Sequence, residues 1–281
     1  MRIEYGQERG YFRPMTAILL DDRSVVALSG PEARSFLQGL ITNDVEKVGP
    51  GRAIYAALLT PQGKILFDFL VTEGDGALLI DCARDARDAL VKRLTLYRLR
   101  AKVQIEARDQ LSVLAGLTGR PAERGITFED PRLAALGHRT IGATAEMPSA
   151  TLPAQAYRAH RLELGVPESG DFGSDRMFAL DAGLDELHAV DFEKGCYVGQ
   201  ELTARMKHRG TARKRLLAVD GADDLKTGVE LRAKGNSIGD IVSAYGRRGF
   251  ALVRLDRLEE AAGADVEADG VRVTVTKQSW L

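Results

Sequence analysis

The sequence predicts an α+β fold in two parts, a layered region over residues 1–210 and a small antiparallel β-barrel over residues 211–281. Three observations carry this. Short β-rich runs joined by hairpin turns alternate with amphipathic helical stretches, which suits hairpin layers better than a doubly wound parallel sheet. After Arg215 the texture changes to brief strands separated by Gly- and Asp-rich turns. Neither a Rossmann nor a Walker glycine pattern can be fitted to the chain.

The elements follow in order. Ala17 to Leu20 and Val25 to Leu28, separated by Asp21-Asp22-Arg23, read as a β-hairpin. Pro31 suits a first helical position, where its missing N–H costs nothing. Ala33, Phe36, Leu37, Leu40 and Ile41 then recur at helical spacing up to Thr42-Asn43-Asp44. Ala53 to Leu59 and Lys64 to Val71 are strands about the turn Thr60-Pro61-Gln62-Gly63, which has Pro second and Gly fourth. Ala77 to Ile80 is a further strand. Residues 83–97 form an amphipathic helix with Ala86, Leu90, Leu94 and Tyr97 on one face. Ala101 to Glu106 and Leu111 to Ala115 resume strand character. Residues 119–153, rich in Gly, Pro and Ala, carry little pattern. Short helices are predicted near 176–187 and 198–206, in a loop-rich stretch. Barrel strands are expected at Leu216 to Val219, Ile238 to Ser243, Phe250 to Leu255 and Val271 to Thr276.

Composition narrows the function classes. The 281 residues carry a net charge of −1, which offers no global case for nucleic-acid binding. Cys82 and Cys196 are too few for a disulfide framework or a four-thiolate site. The four histidines, His138, His160, His188 and His208, lack the spacing of a zinc motif, so no metal is expected from this chain alone. No apolar run reaches membrane-span length, and the first residues have no signal-peptide core and carry acids early, which argues against a mitochondrial transit peptide. A cytoplasmic location is the expectation.

Cys196 is the first candidate for chemistry. Gly195 and Gly199 bracket it and free the backbone for tight turns. Residues 202–215 then hold Arg205, Lys207, Arg209, Arg213, Lys214 and Arg215 with no acid, a field that would favour a thiolate if it folds nearby. A buried, inert cysteine and a solvated basic loop are the plainer alternatives. Asp68 is the second: strand alternation puts it on the face of Leu66 and Leu70, where a carboxylate is costly unless hydrogen-bonded or open to a cavity. Glu163, taken alone, reads as a surface partner of Arg161.

The run Lys194-Gly195-Cys196-Tyr197-Val198-Gly199-Gln200-Glu201 resembles the signature of the YgfZ family, and Leu202 to Arg205 and Arg209 to Leu216 continue the likeness toward its mitochondrial branch. Phe36 to Val45 resembles the family's first helix, and Arg161 to Pro167 a segment shared with the glycine-cleavage T-protein. The resemblance implies a ring of two interleaved α+β units with a C-terminal barrel, a tetrahydrofolate ligand in the centre, and work with iron–sulfur client or assembly proteins on 4Fe–4S enzymes. It assigns Cys196 the functional thiol. It assigns folate contacts to Asp68 and Glu163, and makes Tyr197, Gln200 and Arg205 candidates for the same cavity. Phe67 stands where the T-protein has a second aspartate, which weighs against the alternative of a folate-dependent aminomethyltransferase.

Overall fold

Thr60-Pro61-Gln62-Gly63 turns as its residue types demand: Gly63 takes a φ of 80° and donates its N–H to the Thr60 carbonyl at 2.8 Å. In the computed structural model, which describes residues 16–119, 124–210 and 213–281, this turn joins the central hairpin. The chain order is β1 (Ile18–Leu19), β2 (Arg23–Ser29), α1 (Ala33–Gln38), β3 (Ile54–Leu59), β4 (Ile65–Gly74), β5 (Ala77–Ala83) and α2 (Arg87–Arg98). Then come β6 (Gln104–Ala107), β7 (Leu111–Gly116), β8 (Ile126–Glu129), β9 (His138–Ala143), α3 (Ala154–Glu163), α4 (Ser169–Phe172) and α5 (Gln200–Arg209). The last stretch holds β10 (Lys214–Gly221), β11 (Glu230–Ala233), β12 (Asn236–Tyr245), β13 (Arg248–Arg254), α6 (Leu255–Glu260), β14 (Val266–Ala268) and β15 (Val271–Thr276).

These strands make three antiparallel units: a five-stranded sheet in the order β3-β4-β5-β2-β6, a four-stranded sheet β1-β7-β9-β8, and a closed barrel β10-β13-β12-β11-β14-β15. The five-stranded sheet is buried on both faces. Val25, Ala27, Tyr55 and Leu70 point to a core shared with Val113, Ile141, Phe172 and Phe250. Val26, Leu28, Phe69 and Val71 alternate to the other face, against Leu37, Leu90 and Leu94 of α1 and α2. The barrel fills itself with Leu217, Val219, Leu231, Ile241, Val253 and Val273. The α+β class and the C-terminal barrel stand as the sequence predicts.

Four local readings are corrected. The expected hairpin across residues 17–28 does not form, because β1 pairs with β7 while β2 pairs with β5 and β6 in the other sheet. The turn at Leu20 to Arg23 exists, but it carries the chain between sheets. The helix expected near 176–187 is a succession of turns. Conversely, Ala154–Glu163 is helical although read as loop-rich, since its buried residues are Tyr157 and Arg161 and no apolar stripe marks it. Within 119–153, β8 and β9 form. The opening Met1 to Tyr5 and the step between residues 210 and 213, where the two predicted regions meet, lie outside the described residues.

Candidate functional site

Two places in the fold carry unusual chemistry. The first is a buried ionic network where the two sheets, α3 and α4 converge. Asp81, with no solvent exposure, accepts from Arg23 Nε at 2.7 Å and Arg139 Nη1 at 2.6 Å. Arg139 also reaches Asp130 at 3.2 Å, and Arg132 pairs with Asp130 at 2.7 Å and with Glu168 at 2.8 Å. Arg161 donates to Asp171 at 2.7 Å, and Ser243 Oγ, from the barrel, donates to the same carboxylate at 2.6 Å. The Tyr157 hydroxyl accepts from both Arg132 and Arg139 at 2.8 Å. Burial opposes the charge of Glu168, but Arg132, Arg161, Arg23 and Arg139 outweigh it and hold that carboxyl far below its usual range.

Asp68 sits at the network's edge. It accepts from the Tyr55 hydroxyl at 2.9 Å and from Ser169 Oγ. Burial raises its carboxyl above the usual value, against the lowering by Arg23 and the two hydroxyls. The charges agree with this direction. Four guanidiniums (Arg23, Arg132, Arg139, Arg161) face five carboxyls (Asp68, Asp81, Asp130, Glu168, Asp171), and they balance when Asp68 holds its proton. A raised carboxyl gives stability that is complete below the unfolded value and lost as pH rises through the folded one. Asp68→Asn keeps the shape without the charge. It is therefore expected to melt a few degrees above the wild type at pH near 7.5 and level with it near pH 4, in thermal unfolding scanned across pH. A variant that melts lower at neutral pH contradicts the assignment.

In front of this network lies an open cavity of about 500 Å³, walled by Arg23, Tyr157, Arg161, Glu168, Ser169 and Tyr245, with Arg84 and Arg158 also lining it. Arg158 lies over the Tyr245 ring at 5.3 Å. Asp68 stands behind Ser169. Glu163 does not join the network: it is exposed at the C-terminal end of α3 and lines no part of this cavity, because the helix turns Arg161 inward instead. Glu168, five residues on, is the inward carboxylate that sequence reasoning missed. Its signal was the capping box that starts α4, in which Glu168 and Asp171 exchange bonds with each other's backbone.

The second place is the loop 191–199. Lys194 Nζ donates to the carbonyls of Gln38 at 2.5 Å and Ile41 at 2.7 Å, capping the C-terminal end of α1. It lies 5.2 Å from the Tyr197 ring, and burial lowers its ammonium to about 8. Asp191 pairs with Lys47 at 2.6 Å, and its N–H binds the Thr42 carbonyl. At the other end Gly199 takes a φ of 83°, and a Cβ there would sit 2.5 Å from the Thr60 carbonyl oxygen. The loop thus rests on the central hairpin turn. Between these anchors Gly195, at φ 95°, has open space around its Cβ position, and Cys196 is exposed.

The remaining expected residues divide. Tyr197 is buried in the main core, and burial pushes its phenol up to about 12. Gln200 opens α5. Arg205 is half exposed and paired with Glu201. None of Tyr197, Gln200, Arg205 or Cys196 lines the 500 Å³ cavity. The basic run after residue 202 is not acid-free in space: Lys207 pairs with Asp185 at 2.9 Å and Arg215 with Glu186. The fold brings those acids from the turns at 176–188, which the local sequence could not show.

Comparisons with known proteins match both parts of the chain. Residues 20–125 match the GCVT N-terminal domain, and residues 213–281 match the CAF17 C-terminal beta-barrel domain. The glycine cleavage system aminomethyltransferase T from Bartonella henselae superposes with a TM-score of 0.70 over 95% of this chain and 86% of that one, at 17% identity. Fold and barrel thus define a GcvT-like protein with a CAF17-type C-terminal domain. The chain is 34% identical to the mitochondrial iron–sulfur cluster assembly factor IBA57 of Mus musculus, over 94% of this chain and 85% of the relative. It is 34% identical to the Homo sapiens protein of the same name, over 85% and 78%.

The chain belongs to the IBA57 family of iron–sulfur cluster assembly factors. The YgfZ likeness therefore points to a related family, and the specific one is IBA57. The cytoplasmic expectation is overturned as well, because these relatives are named mitochondrial proteins. The early acids had counted against a mitochondrial transit peptide, and the compartment named for the relatives goes against that reading. Among the described residues no helix is long and apolar enough to cross a membrane.

Proposed function

We propose that this chain is a tetrahydrofolate-binding accessory factor for the assembly or repair of 4Fe–4S enzymes, with Cys196 as its working thiol, and that it operates in mitochondria or an equivalent compartment alongside iron–sulfur assembly partners. The observation that carries the reading is the exposed Cys196 on a loop fastened on both sides, at Lys194 and at Gly199. A fixed backbone with a free sulfur suits brief contact with iron held mainly by another protein. Among the described residues no group of three or more His, Cys, Asp or Glu gathers as a metal site, so further ligands would come from that partner.

The 500 Å³ cavity fits a reduced folate in its donor set. Arg84 and Arg158 suit the carboxylates of the folate tail, Tyr157 and Tyr245 offer aromatic faces, and Glu168 offers an acceptor to pterin N–H groups, while Asp68 acts from behind by holding Ser169. A bound reduced folate supplies a carrier for one-carbon units. The residues' own part is to bind and orient it, with Asp68 fixing the Ser169 hydroxyl at the cavity wall. The test is complementation of cells lacking their own factor. Wild-type chain should restore 4Fe–4S enzyme activities, and Cys196→Ser, present at equal level, should leave them at the empty-vector value. Full restoration by Cys196→Ser would refute the working-thiol reading.

A further inference from the structure

The C-terminal end of α2 presents two leucines to solvent. Leu96 is 63% exposed and Leu99 86%, the two most exposed of the large hydrophobic side chains among the described residues. Neither is needed for packing. The inward face of α2 is already supplied by Leu90 and Leu94, both fully buried against the five-stranded sheet. Leu99 is also held in a strained backbone, with φ 46° and ψ −105°, where a glycine would be at ease. A side chain that gains no burial and costs backbone strain needs another reason to be there.

The surroundings name the kind of reason. Lys92, Arg93 and Arg100 are exposed beside these leucines, and among the described residues none of the three is in an ion pair. Some surface cations elsewhere are matched with acids, as Arg87 is with Asp109 and Arg254 with Asp256, and others, among the described residues, stand alone; here three stand alone around two exposed leucines. The end of α2 is therefore an apolar tip within an uncompensated positive ring. Nucleic-acid phosphates would use the cations and waste the leucines. A bilayer would use both, but a fluid acyl layer needs no leucine fixed at one strained angle.

We propose that Leu96 and Leu99, with Lys92, Arg93 and Arg100, form the docking surface for an acidic partner protein, one with an apolar recess rimmed by carboxylates. This rests on the reading that the chain works with iron–sulfur assembly partners. Burying the leucines supplies affinity, and the cations set orientation and encounter rate. Leu99→Gly should relieve the strain and melt no lower than the wild type, while losing the docking side chain.

The experiment places a photo-crosslinking benzoylphenylalanine at position 96 of the full chain in its native cells and identifies the adduct by mass spectrometry. The identified partner, purified, is then titrated with wild type, Leu99→Gly and Arg93→Glu/Arg100→Glu. Weakening on the order of tenfold or more in both variants, with wild-type affinity falling as salt rises, supports the proposal. No adduct, or a partner that binds all three alike, overturns it. Leu99-dependent binding to phosphatidylserine vesicles or to RNA overturns it in favour of those surfaces. The two readings also separate in complementation. If Cys196→Ser fails while both docking variants restore activity fully, the docking surface falls and the thiol stands. If Cys196→Ser restores activity while the docking variants lose the partner, the reverse holds.

Discussion

Asp81→Ala should cost about 3–5 kcal/mol of folding stability, the range for breaking a buried ion pair by removing one partner. The carboxylate is completely shielded and takes one bond from each of two guanidiniums, Arg23 and Arg139. Arg139 is 1% exposed, so its charge cannot turn to water when Asp81 is gone. Arg23 keeps only its bond to the Asp81 backbone carbonyl, at 2.7 Å. Asp81→Asn should cost less, because the shape is kept and one oxygen still accepts. Urea unfolding of the three proteins gives the order directly, and it should persist in high salt, which does not screen a buried pair. A loss under about 1 kcal/mol for Asp81→Ala would show that water or repacking compensates the arginines, and the network would then not brace the sheets.

The second large effect is a contrast between the two thiols. Cys196 should be alkylated by iodoacetamide at neutral pH long before Cys82. Cys196 is exposed, whereas Cys82 is 1% exposed in β5 and packs in the α1–α2 core. Burial pushes the Cys82 thiol up to about 12, against the lowering by Arg23, so hardly any thiolate exists there at pH 7. Partial labelling followed by peptide mass spectrometry assigns the sites. Cys82 should label only under denaturant. Labelling of Cys82 first in the native protein would mean that the Cys196 loop is closed in solution.

Legibility followed sequence separation. The hairpin β3–β4 could be read because Pro61 and Gly63 lie inside it, and the barrel strands because their turns are local. The error across residues 17–28 came from the same habit of pairing neighbours. The true partner of Ile18 is Ala115, and that of Val26 is Ile80 on one side and Ala107 on the other. At the site, Cys196 and Asp68 stood out because each is chemically odd for its surroundings. Arg23, Arg132, Arg139 and Arg161 did not, since isolated arginines in a chain that is 28% charged carry no spacing that announces burial. The exchange of Glu163 for Glu168 has a similar cause. Only the side of α3 that faces inward separates them, and a helix that buries Tyr157 and Arg161 offers no apolar period to fix it.

The fastenings of the Cys196 loop reach far back along the chain. Lys194 binds Gln38 across 156 residues and Ile41 across 153, and just before the loop the His188 carbonyl accepts from Asn43 Nδ2 across 145. Contacts of such separation close late, because the entropy of the intervening chain must be surrendered before they form. During synthesis the first sheet can assemble around β2 to β5 while the segment bearing the thiol is still inside the ribosome. The thiol therefore comes into position only on a chain whose N-terminal half is already folded. A chain without α1 and the residues just after it would carry Cys196 with nothing at Gln38, Ile41 or Thr42 to hold its loop.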